Sequence, residues 1–230
     1  ADTNRPPGHI LIIDSYSGNT LKSAVVPDSN ETYMFPLYVD LNNDNNYNII
    51  FGTGGETMAG NLWISNFSDL INENLFSATP LLNTSTLGII APPSLADLNN
   101  DNILDIISQS FDGKITAING ESLAVIWEFH IPGTESSASP IIGLFSGSDN
   151  EPDVFATVYK GVNSSYSDYY QILLDGQSGN LLFKDSIGNF NFATPISFDS
   201  NSDGKDEILL SITNNVTGLF EHELILIDFI

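Results

Sequence analysis

Three segments of this chain repeat one another closely enough to restrict its fold more than any other feature. Pro36-Leu-Tyr-Val-Asp40, Pro93-Ser-Leu-Ala-Asp97 and Pro195-Ile-Ser-Phe-Asp199 each place a proline four residues ahead of an aspartate. Each then runs through an Asn/Asp-dense loop into an apolar stretch: NIIFG from Asn48, DIISQ from Asp105, EILLS from Glu207. A fourth, weaker copy begins at Pro140 as PIIGL and continues FSGSDNEPDVFATV. The copies stand 47 to 57 residues apart. Self-similarity at a fixed period of this size marks an architecture in which each unit buries its faces against its neighbours.

Between these copies lies a second pattern. ILIIDSYSGNTL (10–21), ITAINGESL (115–123) and ILLDGQSGNLL (172–182) each show an apolar run ending in Asp or Asn, a Gly/Ser turn, and a leucine that resumes a strand. Short runs rich in β-branched residues and bounded by turn residues read as strands and hairpins. Helical periodicity is confined to a short stretch around Ser68 to Asn74. One unit is therefore strand A, an Asn/Asp loop, strand B, then a hairpin of strands C and D, which is a four-stranded propeller blade. The expected fold is all-β, a β-propeller of four-stranded blades forming one region over 1–230. Its blades fall at 8–27 (partial), 34–82, 89–131, 136–187 and 192–230 (partial). This makes seventeen strands where a closed four-bladed ring needs sixteen, so the expectation is a portion of a larger ring of seven or eight blades, with a small closed ring carrying a surplus strand as the alternative.

Composition narrows the partners. With 29 acidic against 6 basic residues the formal charge is −23, which argues against nucleic acid or an anionic membrane surface and favours cations. No window is long and apolar enough to insert in a membrane. There is no cysteine, so disulfides and thiolate metal sites are excluded. Asn30, Asn66, Asn83, Asn163 and Asn215 head N-glycosylation sequons, a number that a chain this rich in Asn, Ser and Thr reaches by chance.

The loops carry the chemistry. Counting from the aspartate, positions 1, 3, 5, 7 and 9 are Asp40, Asn42, Asp44, Asn46 and Asn48; Asp97, Asn99, Asp101, Ile103 and Asp105; and Asp199, Asn201, Asp203, Lys205 and Glu207. Every odd position except 7 is Asp, Asn or Glu, as needed if alternate side chains converge on one hard cation, with position 7 giving its backbone carbonyl. Oxygen-only ligands in a protein cage select Ca2+ over zinc, copper or magnesium. Position 6 must turn sharply, and is Asn45, Asn102 or Gly204. An EF-hand is ruled out because position 12 is Phe51, Ser108 or Leu210 rather than Glu. Read without an ion, the same loops are solvated Asn/Asp turns.

Together the upstream proline, the D-x-N-x-D-(G/N)-x-x-(D/N/E) loop and the following strand resemble the FG-GAP repeat of integrin alpha-subunit propellers. The signatures that name the family are partly visible as Phe51-Gly52 and Ala91-Pro92. The resemblance implies that the loop joins strands A and B and binds calcium through positions 1, 3, 5 and 9 and the carbonyl of 7. The first loop, with Asn48 at position 9, is expected to bind most weakly. The copy after Pro140 is shifted by one residue, with Phe145 and Gly147 in the first two ligand positions and Asp153 in the last, and is expected not to bind.

Two or three structural calcium ions would fix these hairpins and place the protein outside the cell, at the cell surface or on the luminal side of the secretory pathway. The resemblance implies a non-enzymatic binding or adhesion module with a protein or glycan partner. The alternative is the propeller portion of a secreted enzyme, since GKITAINGESLAVIWEF resembles quinoprotein-type blades and calcium-loaded propellers occur in polysaccharide lyases. The histidines His9, His130 and His222 are isolated and the six basic residues scattered, so no acid/base pair or anion clamp stands out.

Overall fold

The computed structural model describes residues 5–146, 151–162, 165–188, 193–216 and 219–229. Gly147 and the sequon residue Asn163 lie outside them. The protein is all-β and of the β-propeller type, built from successive antiparallel sheets of two to five strands, two of them four-stranded. Two compact units divide the chain, Ala1–Pro92 and Pro93–Ile230.

In the first unit, β1 (His9–Ile13) and β2 (Thr20–Val25) form a hairpin. A blade of β3 (Leu37–Val39), β4 (Asn48–Gly52), β5 (Asn61–Asn66) and β6 (Thr79–Asn83) follows, hydrogen-bonded in chain order. A five-residue helix, α1 (Phe67–Ile71), is inserted between β5 and β6, overlapping the stretch Ser68 to Asn74 where the sequence allows one. The turn that follows it is tied to the hairpin by the Ser23 N–H, which donates to Glu73 Oε1 at 3.2 Å.

The second unit begins with a blade of β7 (Ser94–Ala96), β8 (Asp105–Gln109), β9 (Ile115–Ile118) and β10 (Val125–Phe129). After the two-residue β11 (Thr134–Glu135) come β12 (Ile141–Gly143), β13 (Asp153–Val162), β14 (Ser165–Leu174) and β15 (Leu181–Ser186). Here β13 is long enough to pair with β12 near its start and with β11 near its end. A sheet of β16 (Ile196–Phe198), β17 (Glu207–Val216) and β18 (Leu219–Ile227) completes the unit. His222 lies inside β18, where its Nδ1 is 3.1 Å from Thr213 Oγ1.

Why the sheets stack is plain from the B strands. In β8 all five residues are buried, the polar Asp105, Ser108 and Gln109 as well as Ile106 and Ile107, so the strand is covered on both faces. Ile107, Ile115, Ala117 and Trp127 pack against Val154, Ala156, Val158, Ile172 and Leu174 of the next blade. Ile141, Phe155 and Leu173 in turn pack against Ile208. Each such aliphatic side chain contributes about 1.5–3 kcal/mol by leaving water. Trp127 adds a polar anchor, its Nε1 donating to Gly176 O at 2.7 Å.

The short A strands of the second unit lie next to one another. Ser94 Oγ donates to Pro140 O at 2.5 Å, and Ser197 Oγ donates to Ile142 O at 2.9 Å. Face-to-face sheets with adjoining first strands are the geometry of propeller blades. It also puts every A–B loop and every C–D turn of these blades on one face, because both follow an upward strand of the meander.

Candidate metal centre

One hydrogen-bond template recurs in all three loops. The position 1 carboxylate accepts the N–H groups of positions 5 and 6: Asp44 and Asn45 donate to Asp40 at 3.1 and 2.8 Å, and Asp101 and Asn102 to Asp97 at 3.1 and 2.8 Å. Asp203 and Gly204 donate to Asp199 at 3.2 and 3.0 Å. The position 5 carboxylate accepts the N–H of position 7, from Asn46 at 2.7 Å, Ile103 at 2.8 Å and Lys205 at 2.8 Å. At position 3, Asn99 and Asn201 accept through Oδ1 from Asp101 and Asp203, whereas Asn42 donates through Nδ2 to Asp44. Hydrogen bonds from the side chain and amide of Asn46 and from Asn42 hold the Asp44 carboxyl below the usual carboxylate range.

Two residues per loop, rather than the single one expected, adopt the left-handed conformation. Position 6 does so in Asn45, Asn102 and Gly204, with φ of 66°, 66° and 89°. Position 4 does so too, in Asn43, Asn100 and Ser202, with φ of 56°, 60° and 64°. The asparagines at position 4 of two loops carried the signal, since Asn tolerates this region better than most residues.

Position 9 opens strand B. Asn48, Asp105, Asp153 and Glu207 pair in register with Val39, Ala96, Gly143 and Phe198, the last residues of their A strands. In three copies its carboxylate accepts the N–H two residues beyond that A strand or nearby: Asp105 from Leu98 at 3.0 Å, Asp153 from Ser146 at 2.9 Å, Glu207 from Ser200 at 2.6 Å. The copy shifted by one residue thus keeps this bond although buried Phe145 replaces its first ligand.

The three loops differ in what else that carboxylate does. Asp105 is fully buried, and its other oxygen accepts Gly120 N at 3.0 Å and Asn119 Nδ2 at 3.2 Å, both from the C–D turn of its own blade. Glu207 has one more methylene. From the same register position it caps Ser200 and reaches into the loop, where Asn201 Nδ2 donates to it at 2.8 Å. Among the described residues, Asp199, Asp203 and Glu207 form the group of three acidic side chains whose donor oxygens all lie within 4.8 Å of one another.

Oxygens bound to one calcium at 2.3–2.6 Å stand at most about 5 Å apart, so the spacing and the all-oxygen chemistry of the third loop suit Ca2+. Asp199, Asn201, Asp203 and Glu207 would hold it by side chains and Lys205 by its carbonyl. The Lys205 ammonium is directed away, donating to Ser146 O at 3.3 Å. In the second loop Asp97, Asn99 and Asp101 share the template, while Asp105 is engaged inward. In the first, Asp40, Asn42 and Asp44 do so, and Asn48 brings no charge.

The C–D turns beside the loops are built alike. Asp14, Asn119 and Asp175 each accept both the N–H and the hydroxyl of the serine three residues on, Ser17, Ser122 and Ser178. Gly120 and Gly176 follow in two of them, where a Cβ would stand 2.1 Å from Leu104 O and 1.9 Å from Pro152 O. Only glycine permits that approach of turn to loop.

Neither protein-family models nor curated protein sequences match this chain. Among solved structures it is similar to a europium-containing methanol dehydrogenase, at 13% identity and a TM-score of 0.40 over 67% of this chain. The chain spans 24% of that protein's length. A likeness at this level carries no argument about activity.

Proposed function

We propose that the chain is a calcium-stabilised propeller module of the FG-GAP type, acting outside the cell as a non-enzymatic binding or adhesion unit for a protein or glycan partner. The observation that supports this reading is the convergence of Asp199, Asp203 and Glu207 within 4.8 Å at the end of a loop whose template recurs in the other two. Calcium would cancel repulsion among these carboxylates and fix the A–B connection. Repulsion between two such charges is about 1 kcal/mol at 4 Å in water, and larger near protein. Sites of the weak extracellular class fill at the millimolar calcium found outside cells. Calcium titration by calorimetry tests the reading. Saturable binding that Asp203→Ala weakens supports it, and an absence of binding heat in millimolar calcium refutes it.

A further inference from the structure

We propose that the first blade carries a binding site for a neutral pyranose sugar in the cavity between its A–B loop and α1. The cavity has a volume of about 390 Å³, within the range of small-molecule sites. Its polar lining residues are Asn45, Asn46, Asn66 and Asn72 with one serine, and its apolar lining residues are Tyr47 and Phe67 with one isoleucine. No lining residue is charged, on a chain of net charge −23.

This place in the blade is where the others make a tight turn. By register Asn66 stands opposite Asn48, as Asn119 and Asp175 follow the strands paired to β8 and β13. Those two residues organise their turns by accepting from a serine, as described above. Asn66 makes no side-chain cap bond to the helix it precedes. The turn has been replaced by α1, and the Phe67 N–H donates to Tyr47 O at 2.9 Å, which ties the helix to the loop. Position 8, Tyr47 here, is Leu104 and Asp206 in the other two loops. The Tyr47 ring is held by parallel stacking on Tyr38, with centroids 4.5 Å apart and 2° between planes, and Phe67 meets Tyr38 edge-on at 4.7 Å. Tyr47 nevertheless stays 41% exposed.

A primary amide offers both donors and an acceptor, the complement of a hydroxyl that needs both. Three such amides, those of Asn45, Asn66 and Asn72, around a fixed aromatic ring suit a ligand with several hydroxyls and an apolar C–H face, which is a pyranose, while the Asn46 side chain is engaged by Asp44. A carboxylated or phosphorylated sugar would find no cation in the lining and a strongly negative protein around it. The site borders the first calcium loop through Asn45 and Asn46, so its test is run both in calcium and in chelator.

The test is saturation-transfer NMR and calorimetry with methyl glucoside, methyl galactoside, methyl mannoside and N-acetylglucosamine, with glucuronate as the charged counterpart. Because Asn66-Phe67-Ser68 is a sequon, the protein is made in a host that does not glycosylate. Saturable binding of at least one neutral sugar is expected, with none for glucuronate. Tyr47→Ala and Asn72→Ala should each weaken it about tenfold. Failure of every neutral sugar to bind, or binding that Asn72→Ala and a folded Tyr47→Ala both leave intact, overturns the proposal. Should Tyr47→Ala not fold, Tyr47→Phe, which keeps the ring, and exposed Asn72→Ala decide.

Discussion

The Glu207 carboxylate accepts the Ser200 N–H at 2.6 Å while its other oxygen accepts Asn201 Nδ2 at 2.8 Å. One side chain therefore closes the A–B connection and takes part in the acidic cluster. Asp105, shorter by a methylene, closes its connection through Leu98 and turns its second oxygen to the C–D turn. The two loops that look equivalent in sequence divide by this one carbon.

The third loop should accordingly lead calcium binding. In thermal melting, saturating calcium is expected to raise Tm over chelator by about 5–10 °C. This follows from roughly 2.7 kcal/mol at a hundredfold excess over Kd and about 2–4 °C per kcal/mol for a chain of this size. Asp203→Ala or Glu207→Gln should remove most of the shift, and Asp97→Ala less of it. A Tm that is the same in calcium and chelator would sink the metal assignment.

Asp105→Asn tests the inward role. The substitution takes away the charge that Leu98, Gly120 and Asn119 donate to, at a position fully removed from water. Bonds to a buried charged group carry about 1.5–3 kcal/mol, so denaturant unfolding should show a loss of that size. The loss should be equal in calcium and in chelator. A loss seen only in calcium would make Asp105 a metal ligand instead.

Strand order and the helix near Ser68 were legible because apolar runs and turn residues are local signals. The Asn/Asp turns of the loops were legible as well, whereas the hydrogen bonds to the position 1 carboxylate and the second left-handed residue at position 4 were not. What could not be read was the division of labour at position 9. It depends on whether a carboxylate in register with Ala96 or Phe198 meets the C–D turn, a contact set by sheet pairing. Nor does the sequence reveal the cavity beside α1, because Tyr38 and Tyr47 become a stacked pair only when β3 and the loop before β4 are brought together.

The C–D turn at Leu123 stores strain. Its counterparts Gly18 and Gly179 have φ of 74° and 70°, and Leu123 adopts φ of 57° without a glycine's freedom. A left-handed L-residue costs about 1–2 kcal/mol, less for asparagine. Leu123→Asn is expected to stabilise the protein by about 0.5–1 kcal/mol in urea unfolding. Destabilisation would show that the half-buried leucine contributes packing that outweighs its backbone strain.

Acid should loosen the first hairpin through Asp14. Hydrogen bonds from the Ser17 amide and hydroxyl, and from the Tyr16 amide, hold its carboxyl below the ordinary value of 3.8. A depressed folded value means stability that is fully present above the unfolded value and is lost as pH falls through the folded one. The stability gap between the native protein and Ser17→Ala should therefore be constant near neutral pH and narrow below about pH 4. An NMR titration of the Asp14 carboxyl gives the direct check. Its midpoint should lie below 3.8 in the native protein and move part of the way up in Ser17→Ala, which keeps the amide donor, and an unchanged midpoint would remove the Ser17 hydroxyl as a cause.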